Sequence, residues 1–179
     1  MMSKQIAFLR AVNVGGRRIK MDVLKTLFQH AGLLDVQTFL ASGNVIFTIA
    51  DEELFGLEEK LEQIILEHFG FESQVMIRSM ETLEKIQNYQ AFLFDEIDQA
   101  GAYNVAFLKH ELSADAGEKL LALQNDLDRF HVHGKEVYWL CAVKQSESKF
   151  SNVVLEKTIG ISSTIRGMRT INKLLKKFA

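Results

Sequence analysis

An α+β fold of two βαββαβ units in tandem, each followed by a short helix, is predicted by three observations. Apolar spacings of strand and helix type follow one another in the order β-α-β-β-α-β, and the order occurs twice. Each half carries a turn signal between two strand-like runs, at Ser42-Gly43-Asn44 and at His133-Gly134-Lys135. Short stretches also recur: Ile6-Ala7-Phe8-Leu9-Arg10 echoes Val105-Ala106-Phe107-Leu108-Lys109, and Ile77 to Thr82 echoes Ile165 to Thr170. Lys85 and Lys173 keep the 88-residue spacing of the second pair. Such traces point to an internal repeat, and the element order is that of the ferredoxin-like unit.

In the first half, residues 5–14 read as a mostly buried strand. Leu24, Leu27, Phe28 and Ala31 share a helix face, and Gly32 suits the cap that ends it. Val36 to Ala41 and Val45 to Ile49 form the arms of a hairpin, with Ser42-Gly43-Asn44 suited to a tight turn of the primed type. Asp51 is expected to cap a helix whose stripe runs from Leu54 to Phe69 and stops at Gly70. Gln74 to Arg78 is a further strand, and a short helix follows near 80–90.

In the second half, Ala102 to Lys109 reads as a strand and 113–127 as a helix with Leu120, Leu123 and Leu127 turned inward. Phe130 to Val132 and Glu136 to Val143 make the second hairpin. A helix with Phe150, Val153 and Val154 on one face ends at Gly160. A short strand at Ser163 to Ile165 leads into a helix over 168–177. The expected units are 1–91 and 102–179, joined by the segment 92–101.

A chain of 179 residues with 47% apolar and 25% charged residues has the makeup of a globular protein that buries a core without disulfides. Its one cysteine, Cys141, cannot form an internal bridge and sits in the apolar run VYWLCAV, as a buried inert thiol would. No apolar run is long enough to span a bilayer, and Arg10 interrupts the only candidate for a signal peptide, so a cytoplasmic location is expected. The net charge of −2 conceals an uneven distribution. Residues 1–30 and 144–179 are basic, whereas residues 51–72 hold eight carboxylates against Lys60. The basic ends are either solvated faces or two parts of one anion-binding surface.

Asn13-Val14-Gly15-Gly16 lies between a strand and a helix, and Arg17, Arg18 and Lys20 follow it. Paired glycines let backbone N–H groups turn towards an anion beside the positive end of a helix. The spacing is neither that of a P-loop nor that of a dinucleotide fingerprint, and a tight strand-to-helix connection needs the same glycines. Strand alternation would place Arg10 with Ile6, Phe8 and Val12, so its guanidinium requires either an ion-pair partner or an opening onto a cleft. Ser42 and Asn44 serve the hairpin or bond a ligand. Arg166, Thr170 and Lys173 have the form of an anion grip at a strand-to-helix junction. His131 and His133 point the same way on one strand, but no third metal ligand stands at a telling spacing.

Three stretches together, LRAVNVGGRRIKM, VQTFLASGNVIF and KFSNVVLEKTIGISSTIRGMRTINKL, resemble a widespread bacterial family known as a domain of unknown function. Its pattern matches this chain at Leu9, Arg10, Asn13, Val14, Gly15, Gly16, Lys20 and Met21. Matches continue at Ser42, Gly43 and Asn44, and at Thr164, Arg166 and Thr170. The resemblance implies the two-unit ferredoxin-like fold and brings no reaction, substrate or cofactor. The chain departs from the pattern at Ala11, where the family has glycine, and at Gly167-Met168, where it has asparagine-tryptophan. The family's central asparagine-proline-phenylalanine is reduced to Asn88 and Phe92.

Two functions are expected from these residues. The first is binding of a small anionic, phosphorylated or nucleotide-like ligand at the seam of the two halves. Its residues would be Arg10, Asn13, Gly15, Gly16, Lys20, Ser42, Asn44, Arg166 and Thr170. The alternative is a nucleic-acid or protein interaction module without catalysis, since the same element order builds RNA-recognition domains. That alternative ranks second: the third strand offers only Phe47 for stacking, and the chain is acidic overall. No nucleophile, metal set or cofactor motif assigns a reaction.

Overall fold

The computed structural model describes residues 1–179. The first half contains β1 (Met2–Leu9), α1 (Met21–His30), β2 (Leu34–Phe39), β3 (Asn44–Ala50), α2 (Leu57–Phe69), β4 (Val75–Ser79) and α3 (Met80–Asn88). After α4 (Phe94–Gln99) come β5 (Ala102–Leu108), α5 (Ala114–Leu121), β6 (Asp128–His133) and β7 (Glu136–Cys141). The chain ends with α6 (Asn152–Ile159), β8 (Ser163–Gly167) and α7 (Met168–Phe178). Two antiparallel sheets result, with strand orders β2-β3-β1-β4 and β6-β7-β5-β8. The α+β class and the two ferredoxin-like units are therefore as expected. No helix is long and apolar enough to cross a membrane.

By packing, unit 1 comprises Met1–Lys85 and Leu174–Ala179, and unit 2 comprises Ile86–Lys173. Both boundaries cut a helix at the same place, since Lys85 of α3 and Lys173 of α7 are equivalent residues. The segment 92–101, read from sequence as a connection, carries α4 and belongs to unit 2.

In unit 1 the sheet face formed by Ala7, Leu9, Val45, Phe47 and Val75 packs with Leu24 and Phe28 of α1 and Leu61 and Ile65 of α2. Phe28 meets Phe47 edge-on at 6.3 Å. Ile6, Phe8, Ile46 and Met76 of the opposite face are buried as well. This explains why β1 reads as an unbroken apolar run rather than as an alternation. The end of α7 packs here too: Phe39 and Phe178 are edge-on at 5.8 Å, and Lys4 Nζ donates to the Phe178 carbonyl.

Unit 2 is built the same way. Ala106, Leu108, Val137 and Trp139 pack with Leu120 of α5 and with Leu155 and Ile159 of α6. Trp139 Nε1 donates to Asp128 Oδ1 at 2.7 Å, which satisfies both buried groups. Tyr138 is buried on the other face, and Cys141 is a buried free thiol.

The units share register as well as order. Ile6 stands opposite Arg78 across β1 and β4, and Val105 stands opposite Arg166 across β5 and β8. Met80, Leu83 and Ile86 form the buried stripe of α3; Met168, Ile171 and Leu174 occupy the same positions in α7 and are also buried.

Several local expectations are corrected. Strand β1 stops at Leu9 rather than running to residue 14, because Ala11 (φ 56°) and Asn13 (φ 57°) are left-handed and break the extended chain. Arg10 therefore lies just past the strand, and Val12 joins Ala7 and Leu9 in the core instead of Ile6 and Phe8. The first hairpin turns through Leu40 to Gly43, and Asn44 is already the first residue of β3, paired with Phe39. Asp51 opens a short 3₁₀ turn, and Gly56 (φ 71°) stands at the N-cap of α2. Helix α5 ends at Leu121, and Leu123 and Leu127 are exposed. There the Asn125 side chain accepts the Leu127 and Asp128 N–H groups and turns the chain into β6.

Candidate functional site

The residues between β1 and α1 form one framed loop. Asn13 sits at its start with a left-handed backbone, a conformation asparagine tolerates better than most residues. Its side-chain amide accepts the Ile19 N–H at 2.7 Å and donates to the carbonyls of Ile19 (3.2 Å) and Ala41 (2.7 Å). One side chain thus closes the loop on itself and ties it to the β2–β3 hairpin. The Arg17 N–H bonds the Val14 carbonyl at 3.1 Å, making a turn whose middle residues are Gly15 (φ 59°) and Gly16 (φ 85°). Both glycines are exposed.

Arg17 is anchored. Its guanidinium lies 4.9 Å from the Phe71 ring centre and donates to the Glu72 carbonyl at 3.2 Å. Arg18 and Lys20 are exposed, and Lys20 is the N-cap of α1. Asp22 in the first turn of α1 already takes up part of that helix's positive end. Attraction for an anion therefore comes mainly from the side chains and the turn amides.

The other predicted residues of unit 1 support this loop. Arg10 is half-buried; its N–H donates to the Gln74 carbonyl and its own carbonyl accepts from Ser73 Oγ at 2.7 Å. Gly43 receives the Leu9 N–H at its carbonyl, and a Cβ at Gly43 would come within 3.0 Å of Leu9 Cβ and 3.2 Å of Val12 Cβ. The hairpin approaches β1 that closely only because residue 43 has no side chain. Asn44 is fully buried and donates to the Phe39 carbonyl and to Ser42 Oγ, so its amide holds the hairpin together.

Arg166 and Thr170 belong to unit 2. Arg166 lies in β8 and Thr170 in the first turn of α7, so they are not one helical turn apart. Arg166 is buried and donates to Thr164 Oγ1 (2.8 Å) and the Ile165 carbonyl (3.0 Å); burial pushes its guanidinium down to about 10. Arg78 in unit 1 is also buried and bonds the carbonyl of the residue before it, Ile77. The repeated arginine thus has a repeated place within its own sheet.

His131 and His133 are engaged by Tyr89. The Tyr89 hydroxyl lies 2.8 Å from His131 Nε2, and its ring stacks on His133 at 4.1 Å. Burial and the neighbouring His133 push the His131 imidazole below its ordinary value.

A family model described as "Protein of unknown function (DUF1697)" matches residues 2–138. The chain belongs to this family. Among solved structures, it is similar to the conserved bacterial protein SP0830 from Streptococcus pneumoniae. That match has a TM-score of 0.78 and 22% identity over 99% of this chain and 98% of the other, a likeness of fold. No curated protein matches.

Two positions at which the sequence departs from the pattern it resembles, Ala11 and Gly167, are readily placed in the structure. Ala11 occupies a left-handed position (φ 56°), where a glycine would be unstrained. Gly167 lies at the end of β8 with an ordinary φ; a Cβ there would have Asn104 Oδ1 as its nearest neighbour, at 3.6 Å. A side chain therefore fits at residue 167. Sequence reasoning missed Tyr103 and Asn104, whose buried Oη and Nδ2 have no hydrogen-bond partner. No sequence signal distinguishes a buried satisfied asparagine from an unsatisfied one.

Proposed function

We propose that this DUF1697 protein binds a small anionic ligand, phosphorylated or nucleotide-like, on the loop between β1 and α1. The observation that carries the reading is the framed Gly15-Gly16 turn. Asn13 braces it from both sides, while the turn itself is exposed beside Arg18 and Lys20. A braced turn loses little conformational freedom on binding, so its amides and two cations act as a preorganised acceptor for phosphate oxygens. Asn13, Ser42 and Asn44 hold the frame, Arg10 joins it to Ser73 and Gln74 just before β4, and Gly15, Gly16, Arg18 and Lys20 touch the ligand. Arg166 and Thr170 are left out of this contact set.

The test is thermal stabilisation by inorganic pyrophosphate and by ADP, followed by calorimetric titration. Binding raises the unfolding midpoint with ligand concentration. Arg18→Ala combined with Lys20→Ala weakens binding by about tenfold or more, since a lost charge-assisted contact is worth over ~1.4 kcal/mol. Absence of stabilisation by either probe rejects the reading. Binding to single-stranded RNA that weakens steeply with salt would replace it with the interaction-module reading.

A further inference from the structure

Residues of α4, β5, β8 and α7 line a pocket of about 450 Å³ within unit 2, a size suited to a small organic molecule. The equivalent place in unit 1 is built differently. There Gln5 stands opposite Ser79 across β1 and β4, as Asn104 stands opposite Gly167 across β5 and β8. Gln5 is buried and satisfied: its Nε2 donates to Ser3 Oγ at 2.8 Å. Ser79 Oγ accepts the Thr82 N–H at 3.0 Å and so caps the first turn of α3.

Unit 2 has lost both acceptors. The register places Ala102 where unit 1 has Ser3, and Gly167 where it has Ser79. Asn104 is 3% exposed and its Nδ2 has no partner; the Tyr103 hydroxyl has none either, but as the preceding residue of β5 it points to the other face of the sheet, towards Phe92 and Tyr138. Both residues line the pocket. Leaving such a group unpaired in a fold costs about 1–3 kcal/mol, and the unpaired Asn104 amide on a residue that lines a pocket marks a place prepared for an acceptor from outside. A half-turn of the Asn104 amide exchanges its donor and acceptor with little change of shape, which brings the donor round to the pocket.

The remaining lining sets the chemistry. Gly167 offers the first turn of the 11-residue α7 no side-chain acceptor, so the helix N-terminus is open to a ligand oxygen. Arg169 adds a cation, and Asp98 of α4 adds a carboxylate. A doubly charged phosphate meets Asp98 as a like charge. A single carboxylate, directed at Asn104, Arg169 and the α7 terminus, leaves Asp98 to accept from a hydroxyl or ammonium group on the same molecule. We infer that this pocket binds a small hydroxy- or amino-carboxylate. The site is independent of the β1–α1 loop.

The test is an amide NMR titration of the full chain with L-serine and L-lactate, with inorganic phosphate as comparator. L-serine or L-lactate moves the Arg169 and Thr170 backbone signals and the Asn104 side-chain amide. Asn104→Leu removes the waiting donor, and Gly167→Ser restores the cap found in unit 1. Each weakens binding by about tenfold or more while melting at or above the parent temperature. A merely structural Asn104 would instead lower the melting temperature when replaced. Binding persists in the Arg18→Ala, Lys20→Ala variant, which separates this site from the loop. The inference is overturned if neither carboxylate moves these signals, if phosphate alone moves them, or if the movement survives both pocket variants.

Discussion

Ser79 and Gly167 occupy the same position in the two units, yet only Ser79 caps the helix that follows it. Ser79 Oγ accepts the Thr82 N–H at 3.0 Å and lies 2.9 Å from the Thr82 hydroxyl, whereas Gly167 has no side chain to offer Thr170. Ser79→Ala is therefore expected to cost about 1 kcal/mol, and Gly167→Ser to add a few tenths of a kcal/mol, because glycine is a better N-cap than alanine. Urea midpoints of the two variants against the parent check the opposite signs.

Ala11 carries a left-handed backbone that an L-residue with a Cβ adopts at a cost of about 1–2 kcal/mol. Ala11→Gly relieves that strain and gives back part of the gain through the more flexible unfolded chain. A net stabilisation of about 0.5–1 kcal/mol is expected, visible as a rise of roughly 2 °C in melting temperature for a chain of this size. A fall in melting temperature would mean that Ala11 packs better than its backbone suggests.

Asn13 concentrates three hydrogen bonds in one amide at the meeting point of loop and hairpin. Asn13→Ala breaks all three and replaces a residue suited to a left-handed backbone with one that is not. The expected loss is about 2–4 kcal/mol. Amide exchange in that variant should quicken at Ile19, whose N–H bonds the Asn13 side chain, and leave unit 2 unchanged.

Alkali should find Tyr103. Burial pushes its phenol up to about 12, so the folded protein holds a proton that the unfolded chain releases near pH 10. The stability this contributes is intact below pH 10 and is lost as pH rises towards 12. Tyr103→Phe should flatten that decline and leave stability at pH 7 equal to the parent or higher, because the hydroxyl has no partner to lose. Urea midpoints from pH 8 to 12 for both proteins measure it.

Much of the candidate site was visible along the chain, though not its division of labour. The paired glycines, the basic residues after them and the serine-glycine-asparagine turn stand out as sequence. Asn13 and Asn44 look like ligand contacts until their amides are seen to be spent on Ile19, Ala41 and Phe39. Arg10 looks like a charge in mid-strand until Ala11 ends the strand beside it. The helix expected to reach residue 127 fails for a similar local reason, the Asn125 turn, which competes with helical bonding.

What the sequence by itself determined was the order of elements, their doubling, and the inward faces of the sheets and helices. These depend on spacings of two and of three to four residues, which are properties of neighbours along the chain. Which polar groups are satisfied was decided only by tertiary structure. Gln5 and Asn104 are equivalent, similar in chemistry and equally buried. One finds Ser3 and the other finds Ala102, so only Asn104 keeps an unpaired donor beside an open pocket. Hydrogen-bond satisfaction is a relation between strands brought together by folding, and no pattern within one strand records it.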